Sequence, residues 1–599
     1  MGITSSCEQL NIHGWRKASP SLSNRSVVLP FLLGALFLFS LQLVTPRAAL
    51  GDEPSERAFT DITEQAGINH THQKCVLDQK LDHIMPWMAG VGAAVAARDY
   101  DRDGFVDLYV TNSKMGQPNF LYRNNGDFTF TEVAEQAGVA WVNEEHGASM
   151  GAVFGDYDND GHLDLYVIKW GCNRLFHSNG DGTFTDVTES SGTGDCGNAN
   201  GVIFLDYEND GDLDIYIGNY FPYVDLWHLE NVRMMHEHYE AAQNGGPNVL
   251  YRNNGDGTFT NVAFELNIAD SGWTLDVGCG DIDKDGTMEI FSANDFGRDR
   301  LYTYKGPEGF EDISELATGI DTRKGMNAEF GDYNNDGYLD IIVANITTDE
   351  FLKEGNVLYE NLGDGTFVDV AVETGCWHGG WSWGVKFIDF DNDGDLDIYN
   401  VNGFVTAGEE SWWLDLAMFA TDIAGDPEDA NTWPPMGNKS CSGNEPSRLF
   451  RNDGLDGFKE IAAEAGVDDR RDGRGIALAD FDNDGDLDMF VSNQAAKPIL
   501  YRNDIGNKMN WLQLELTGTK CNRDAIGAWI ELTAGDLLSV RQIVAGNSHN
   551  SQSSRRAHFG LGDRDKIDKI EIRWPSGTVQ VLDNPKVNQL IRVEEPADG

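Results

Sequence analysis

Positive charge is what this 599-residue sequence has least of: 44 lysines and arginines stand against 98 aspartates and glutamates, a formal net charge of −54. That balance argues against nucleic acid and anionic membrane surfaces as partners, since both are recognised through basic patches. Proline is sparse, at 17 residues against 67 glycines, which excludes a proline-rich extended chain and suits short strands joined by tight turns. The eight cysteines show no CxxC or CxxCH spacing, so neither a zinc knuckle nor haem attachment is indicated. No G-x-S-x-G, HExxH, P-loop or dinucleotide fingerprint stands out.

One apolar run alone is long. Val27 to Val44, 18 residues, follows Arg16, Lys17 and Arg25 and precedes Ala49-Leu50-Gly51 and an acidic start at Asp52. Basic, apolar, small-residue exit is the order of an export signal. Residues 1–51 are therefore read as a signal peptide cleaved after Gly51. The run is also just long enough to span a bilayer if left uncleaved, the one case in which a membrane is a partner. The mature chain is expected to be secreted, periplasmic or on the cell surface. In such an oxidising setting Cys172–Cys196 and Cys376–Cys441 are the expected disulfides, against buried free thiols, and an odd count leaves at least one thiol free.

What the chain has in abundance is one repeated unit, D-x-D-x-D-G-x-x-D. It begins at Asp99, Asp156, Asp206, Asp281, Asp332, Asp389 and Asp480, with spacings between 50 and 91 residues. Strand-like runs flank each copy, such as Gly151-Ala-Val-Phe before the second and Leu163-Asp-Leu-Tyr-Val after it. A second unit lies between copies: Asn119-Phe-Leu-Tyr-Arg-Asn-Asn-Gly-Asp-Phe, with relatives at Asn173, Asn248 and Asn356 and looser ones at Arg300 and Arg448. It reads as a hairpin, its glycine supplying the positive φ of a tight turn. Four strands per period of about fifty residues is the arithmetic of a propeller blade. The seventh copy lacks its fourth strand, and Ala58-Phe-Thr-Asp-Ile-Thr-Glu-Gln-Ala-Gly67 at the front resembles the missing piece. The expected fold is all-β: a seven-bladed propeller over 52–507 closed by its N-terminal strand, then a small β-domain over 508–599.

The loop pattern points to calcium. Acids at positions 1, 3, 5 and 9, a glycine at 6 and a carbonyl at 7 gather hard oxygen ligands, which suit Ca²⁺ better than Mg²⁺. The expected ligands are Asp99, Asp101, Asp103 and Asp107 in the first loop, then Asp156, Asp158, Asp160 and Asp164. Asp206, Glu208, Asp210 and Asp214 form the third, and Asp281, Asp283, Asp285 and Glu289 the fourth. The fifth has Asp332, Asn334, Asp336 and Asp340, and, one carboxylate short, is expected to be weakest. Asp389, Asp391, Asp393 and Asp397 make the sixth, Asp480, Asp482, Asp484 and Asp488 the seventh. Up to seven Ca²⁺ follow, in a structural role. An EF-hand reading fails, because position 12 of the second loop is Val167, within a strand, where the EF-hand needs a bidentate Glu.

From Asn510 the repeat stops, and Trp511-Leu-Gln-Leu-Glu-Leu-Thr alternates with period two, as does Lys569-Ile-Glu-Ile-Arg-Trp. His558-Phe-Gly-Leu-Gly562 and Ile570-Glu-Ile-Arg-Trp-Pro-Ser-Gly-Thr578 resemble the ASPIC/UnbV domain, and the upstream loops resemble the FG-GAP/VCBS repeats of integrin-type propellers. Nearly all the mature chain resembles the cartilage-acidic-protein-like family. What that resemblance implies is an extracellular or cell-surface calcium-binding protein.

Strand polarity places the Asp loops on one face and the connections from second to third strand on the other. Both large insertions, Phe221 to Pro247 and about Phe404 to Ser447, fall on that second face, the first reading as partly helical over Leu226 to Ala242. Trp273, Trp381, Trp383, His378 and Arg474 point there as well, beside Trp412, Trp413 and Trp433. These residues are the candidate ligand face, against an alternative in which the tryptophans are blade packing. A binding or adhesion module for an extracellular glycan or protein is the expected function, with no catalytic residue assigned. A polysaccharide lyase or hydrolase on a calcium propeller is the alternative, drawing on Arg474, His146 and His378.

Overall fold

A computed structural model of the chain describes residues 57–597, apart from 145–146, 349–351, 422–425 and 547. The export segment 1–51 and His146 lie outside the described residues. The described residues are predominantly β and form nine sheets. Seven of them have four antiparallel strands in simple up-and-down order, and they begin at Val95, Ala148, Ala199, Thr274, Asn327, Ser382 and Gly473. The first strand of each packs beside the first strand of the next, and the last, Gly473–Ala479, packs beside the first, Val95–Arg98. The ring is closed by the N-terminal strand Phe59–Asp61, which pairs with Ile499–Asn503 as Phe59 opposite Asn503.

Burial falls off from the axis outward, and the sequence follows it. In blade 2, Ala148–Gly155 and Asp164–Trp170 are buried throughout; the third strand, Arg174–Ser178, leaves Arg174 and His177 half-buried; the fourth, Phe184–Asp186, buries only its phenylalanine. This explains why inner strands are continuous small and apolar runs while the outer ones carry polar residues. The repeated asparagines are joints. Asn119, Asn173, Asn248 and Asn356 each accept, through the side-chain oxygen, an N–H at the end of the preceding strand. Asn124 donates to Phe481 O of blade 7, and Asn253, Asn361, Asn452 and Asn503 reach the neighbouring loop in the same way.

The two insertions differ from expectation in one respect. Trp413–Thr421 is helical, but no helix forms between residues 226 and 242. There the backbone finds partners on other segments: Asp78 donates to Leu226 O, and Met235 N–H to Glu428 O. Cys172 and Cys196 are bonded as expected. Cys376 and Cys441 are not: both are buried free thiols, and Cys376 Sγ lies 3.6 Å from Thr374 Oγ1 in its own turn.

The C-terminal strands form two further sheets. Asn510–Thr517 pairs antiparallel with Ala557–Gly562 and parallel with Leu590–Glu594; Trp529–Ala534 lies between Leu537–Gln542 and Lys569–Arg573, with Val579–Asp583 outside. Propeller and C-terminal sheets make one compact unit. Leu512, Ile530 and Phe559 share a core with Val153, Phe204 and Val277 of the inner strands. Residues 543–546 and 548–556, between two C-terminal strands, run into the centre of the ring and touch all seven blades. Phe204 donates to Ala545 O, Ala97 to Gln552 O, and Phe154 exchanges two hydrogen bonds with the Gln552 amide. Ile476 N–H and Leu478 N–H donate to Ser548 and Ser553, and Asn550 N–H to Asp276. His549 is buried, 3.0 Å from Met326 O through Nδ1 and edge-on to Trp383. Gly475 is needed here: a Cβ on it would stand 2.1 Å from Ser551 Oγ.

Candidate metal loops and an aromatic cavity

Each Asp loop joins the first strand of a blade to the second, and all seven share one geometry. Position 4 takes a left-handed conformation, as Arg102, Asn159, Asn209, Lys284, Asn335, Asn392 and Asn483 do at φ between 55° and 63°. Position 6 is glycine at φ near +90°, for example Gly104 and Gly161. The first acid's Oδ2 accepts that glycine's N–H, at 2.9 Å in Asp99 and 2.8 Å in Asp156. The acid at position 9 accepts two backbone N–H groups, as Asp107 does from Tyr100 and Asn124. The position-4 asparagines were not singled out by the acid pattern. Four of them donate to the position-6 carbonyl of the next loop, Asn159 to Gly211, Asn209 to Gly286, Asn335 to Gly394 and Asn392 to Gly485, and Asn483 returns to Gly104.

In four of the loops three acids lie close together. Ligating atoms of Asp99, Asp101 and Asp107 lie within 4.8 Å of one another, as do those of Asp156, Asp158 and Asp160, of Asp281, Asp283 and Asp285, and of Asp389, Asp391 and Asp397. In the second loop His177 adds a nitrogen 3.1 Å from Asp164. A buried carboxylate oxygen without a hydrogen-bond partner remains at Asp99, Asp156, Glu208, Glu289, Asp391 and Asp486, one in every loop but the fifth, which carries Asn334. Burial pushes the first acids upward, Asp99 and Asp281 to about 6, Asp206, Asp332 and Asp480 to about 7 and Asp156 to about 8. Buried carboxylates that crowd one another and leave oxygens unpaired fit a hard cation bound by oxygen.

On the opposite face, the insertions and the starts of the inner strands enclose a cavity of about 680 Å³. Trp381 and Trp383 line it, with Trp87, Trp413, Trp433 and Phe296 among the other walls. Trp381 stacks on Trp413 at 4.6 Å, and His236 on Phe296 at 3.8 Å. Three ring nitrogens of lining residues are buried without a partner: Trp381 Nε1, Trp383 Nε1 and His236 Nδ1. Lys324 Nζ, over the Tyr239 ring at 3.9 Å, supplies the one lining ammonium group.

The remaining expected ligand-face residues stand outside the cavity. Trp273 is fully buried behind its wall and donates through Nε1 to Asn244. Arg474 is likewise fully buried, spends its donors on Gly90 O, Gly403 O and Gly473 O, and stacks 3.9 Å from Trp383, so it braces the wall. His378 is exposed beside Trp377. Gly147-Ala-Ser-Met-Gly151 is a literal G-x-S-x-G match, but Ser149 is buried in an inner strand and accepts from Asn119, with no strand-to-helix elbow to present it. Among the described residues no helix is long and apolar enough to cross a membrane.

Comparison with known proteins bears on these sites. The FG-GAP-like repeat matches residues 99–167, 168–217, 241–292, 281–343, 346–399 and 440–491, more than half the chain, and ASPIC and UnbV matches 518–599. The chain belongs to the FG-GAP-repeat family. Cartilage acidic protein 1 of Xenopus tropicalis is 25% identical over 580 residues, 91% of this chain and 78% of that protein. The mouse and human proteins of the same name are 28% and 27% identical over 54% of this chain, and the match spans only about half of their length, 55% and 54%. Among solved structures, an Agrocybe aegerita lectin reported with specific recognition of non-reducing terminal N-acetylglucosamine aligns at a TM-score of 0.35 and 15% identity, over 63% of this chain and 84% of that one, a likeness too slight to inform function.

In this FG-GAP ring the ASPIC and UnbV strands cover the Asp loops. Gln513 Nε2 donates to Asp480, Gly560 N–H to Asp389, and Asp524 accepts Asp156 N–H. No sequence signal announced this docking, since the contacts join residues 30 to 370 positions apart.

Proposed function

We propose that this protein is an exported binding module: a propeller stiffened by structural calcium on one face, with its ligand seat in the aromatic cavity on the other. Calcium is supported by the donor set, which is oxygen throughout six of the loops, and by the unpaired buried oxygens. Those oxygens would otherwise cost free energy in the folded state. Asp, Glu and Asn side chains at positions 1, 3, 5 and 9 would hold the ions, one per loop, with the fifth weakest. Export rests on the order of features in residues 1–51, and an extracellular site of action follows from it.

The observation that carries the ligand reading is the set of unpaired nitrogens in a cavity of about 680 Å³. A glycan end suits it: sugar faces stack on indoles, and hydroxyl oxygens accept from Trp381 and Trp383. Enzyme chemistry finds less support, because Arg474 is committed to carbonyls and His378 stands apart. A glycan-array screen with calcium and with EDTA, followed by a product assay on each hit, tests the reading. Calcium-dependent binding that weakens at least tenfold in Trp381→Ala, without turnover, is the expected result. Turnover would make the protein an enzyme, and capture of peptides but no glycan would replace the ligand class.

A further inference from the structure

A second cavity, of about 470 Å³, lies between the first two Asp loops and the C-terminal domain. In a chain so poor in bases, six arginines line it: Arg98, Arg102, Arg523, Arg555, Arg556 and Arg592. Most are held in place. Arg555 donates to Leu516 O and Asp524 O, and Arg556 to Gly104 O and Asn483. Of the acids that share the lining, three lie near arginines, and Asp99 and Asp156 each keep one buried oxygen unpaired. Asp524 lies 3.5 Å from Arg555, Glu515 lies 3.1 Å from Arg592, and Asp156 lies 3.9 Å from Arg523. Asp99 and Asp103 belong to the first metal loop and accept its Gly104 and Phe105 N–H groups.

Arg98 is the exception. It ends the inner strand Val95–Arg98, is 3% exposed, and none of its three guanidinium nitrogens has a hydrogen-bond partner. A buried charge with no partner is among the costliest arrangements in a protein, and a guanidinium presents a planar fork suited to two oxygens of one anion. The rest of the lining mixes the hydroxyls of Thr517 and Ser554 with Val106 and Leu163 and, unlike the aromatic cavity, has no aromatic ring.

We propose that this cavity is an oxyanion site, with Arg98 as its central donor and Arg102 at its exposed edge. It takes a sulfate or carboxylate group, either as a free ion or carried on a sugar, for which the cavity leaves room. The site is independent of the aromatic cavity and stands or falls separately from it.

The test uses the full mature chain in calcium at constant ionic strength, titrated with inorganic sulfate, acetate, a sulfated disaccharide, its carboxylated counterpart and their uncharged parent. Affinity is read by calorimetry and by the rise in melting temperature. A saturable response to one or more of the anionic probes, stronger than any to the parent sugar, is expected, with affinity at least tenfold lower in Arg98→Met. Tighter binding of a charged sugar than of the free ion assigns the group to a glycan; equal binding assigns it to the ion. If Arg98→Met does not fold, Arg102→Gln, on the exposed side, replaces it, with at least a threefold loss expected. No saturable response in the wild type, or equal affinity in the variant that folds, overturns the proposal.

Discussion

At the residue scale the loops are governed by which oxygens the backbone leaves over. In the sixth loop Asp397 at position 9 spends its carboxylate on two N–H groups, so it secures the loop, whereas Asp391 at position 3 keeps an unpaired oxygen. Asp391→Asn should therefore weaken one calcium site, a tenfold loss of affinity costing about 1.4 kcal/mol of stability at saturating calcium, and leave one fewer ion bound at calcium below the variant's Kd. In EDTA the variant should melt no lower than the wild type. Metal analysis and melting curves in both buffers check this, and an unchanged calcium count below the variant's Kd would sink it. A second residue argues from pH. Burial among Met326, Trp383, Asn550 and the Arg474 charge lowers His549 to about 3. Its folded value lies below the unfolded one near 6.5, so the unfolded chain binds the extra proton, and stability present above that range is lost as pH falls. The loss reaches about 2 kcal/mol at pH 5 for this one group. His549→Gln should flatten the stability-against-pH curve between pH 6.5 and 5, read by denaturant melts; an identical slope would exclude the role.

At the element scale, the repeat made most strands legible. Inner strands, hairpin turns and Asp loops recur in register, and the closing strand was recognisable because Phe59 to Gly67 repeats the pattern of Phe130 to Gly138. Phe59 is buried, packs on Phe390 and Tyr501, and secures the one seam in the ring. Phe59→Ala should cost about 3–5 kcal/mol, measured by chemical denaturation. A loss below 1 kcal/mol would mean that closure does not depend on this strand. The segment 226–242 was not legible in the same way. Its apolar spacing suits a helix, yet Leu226, Leu229, Val232 and Met235 are drawn into the insertion core by neighbours far away in sequence. Local propensity is a weak guide where the backbone's partners are non-local.

At the scale of the whole molecule, charge is the dominant fact. A formal net charge of −54, concentrated in seven loops on one face, makes the ion-free fold repel itself. EDTA should lower the melting temperature by more than 10 °C, and calcium should restore it. An unchanged melting point, with at most one calcium per chain, would remove the metal reading. The acid spacing, the hairpin repeat and the missing fourth strand already determined an all-β ring, its loops and its closure, because those features depend on residues close together in the chain. The tertiary structure alone decided three further things: a C-terminal segment, 543–546 and 548–556, enters the axis, the aromatic insertions leave a cavity, and Arg98 is buried without a hydrogen-bond partner. Each arises from contacts between segments hundreds of residues apart, and no local pattern in a single sequence records which distant surfaces will meet.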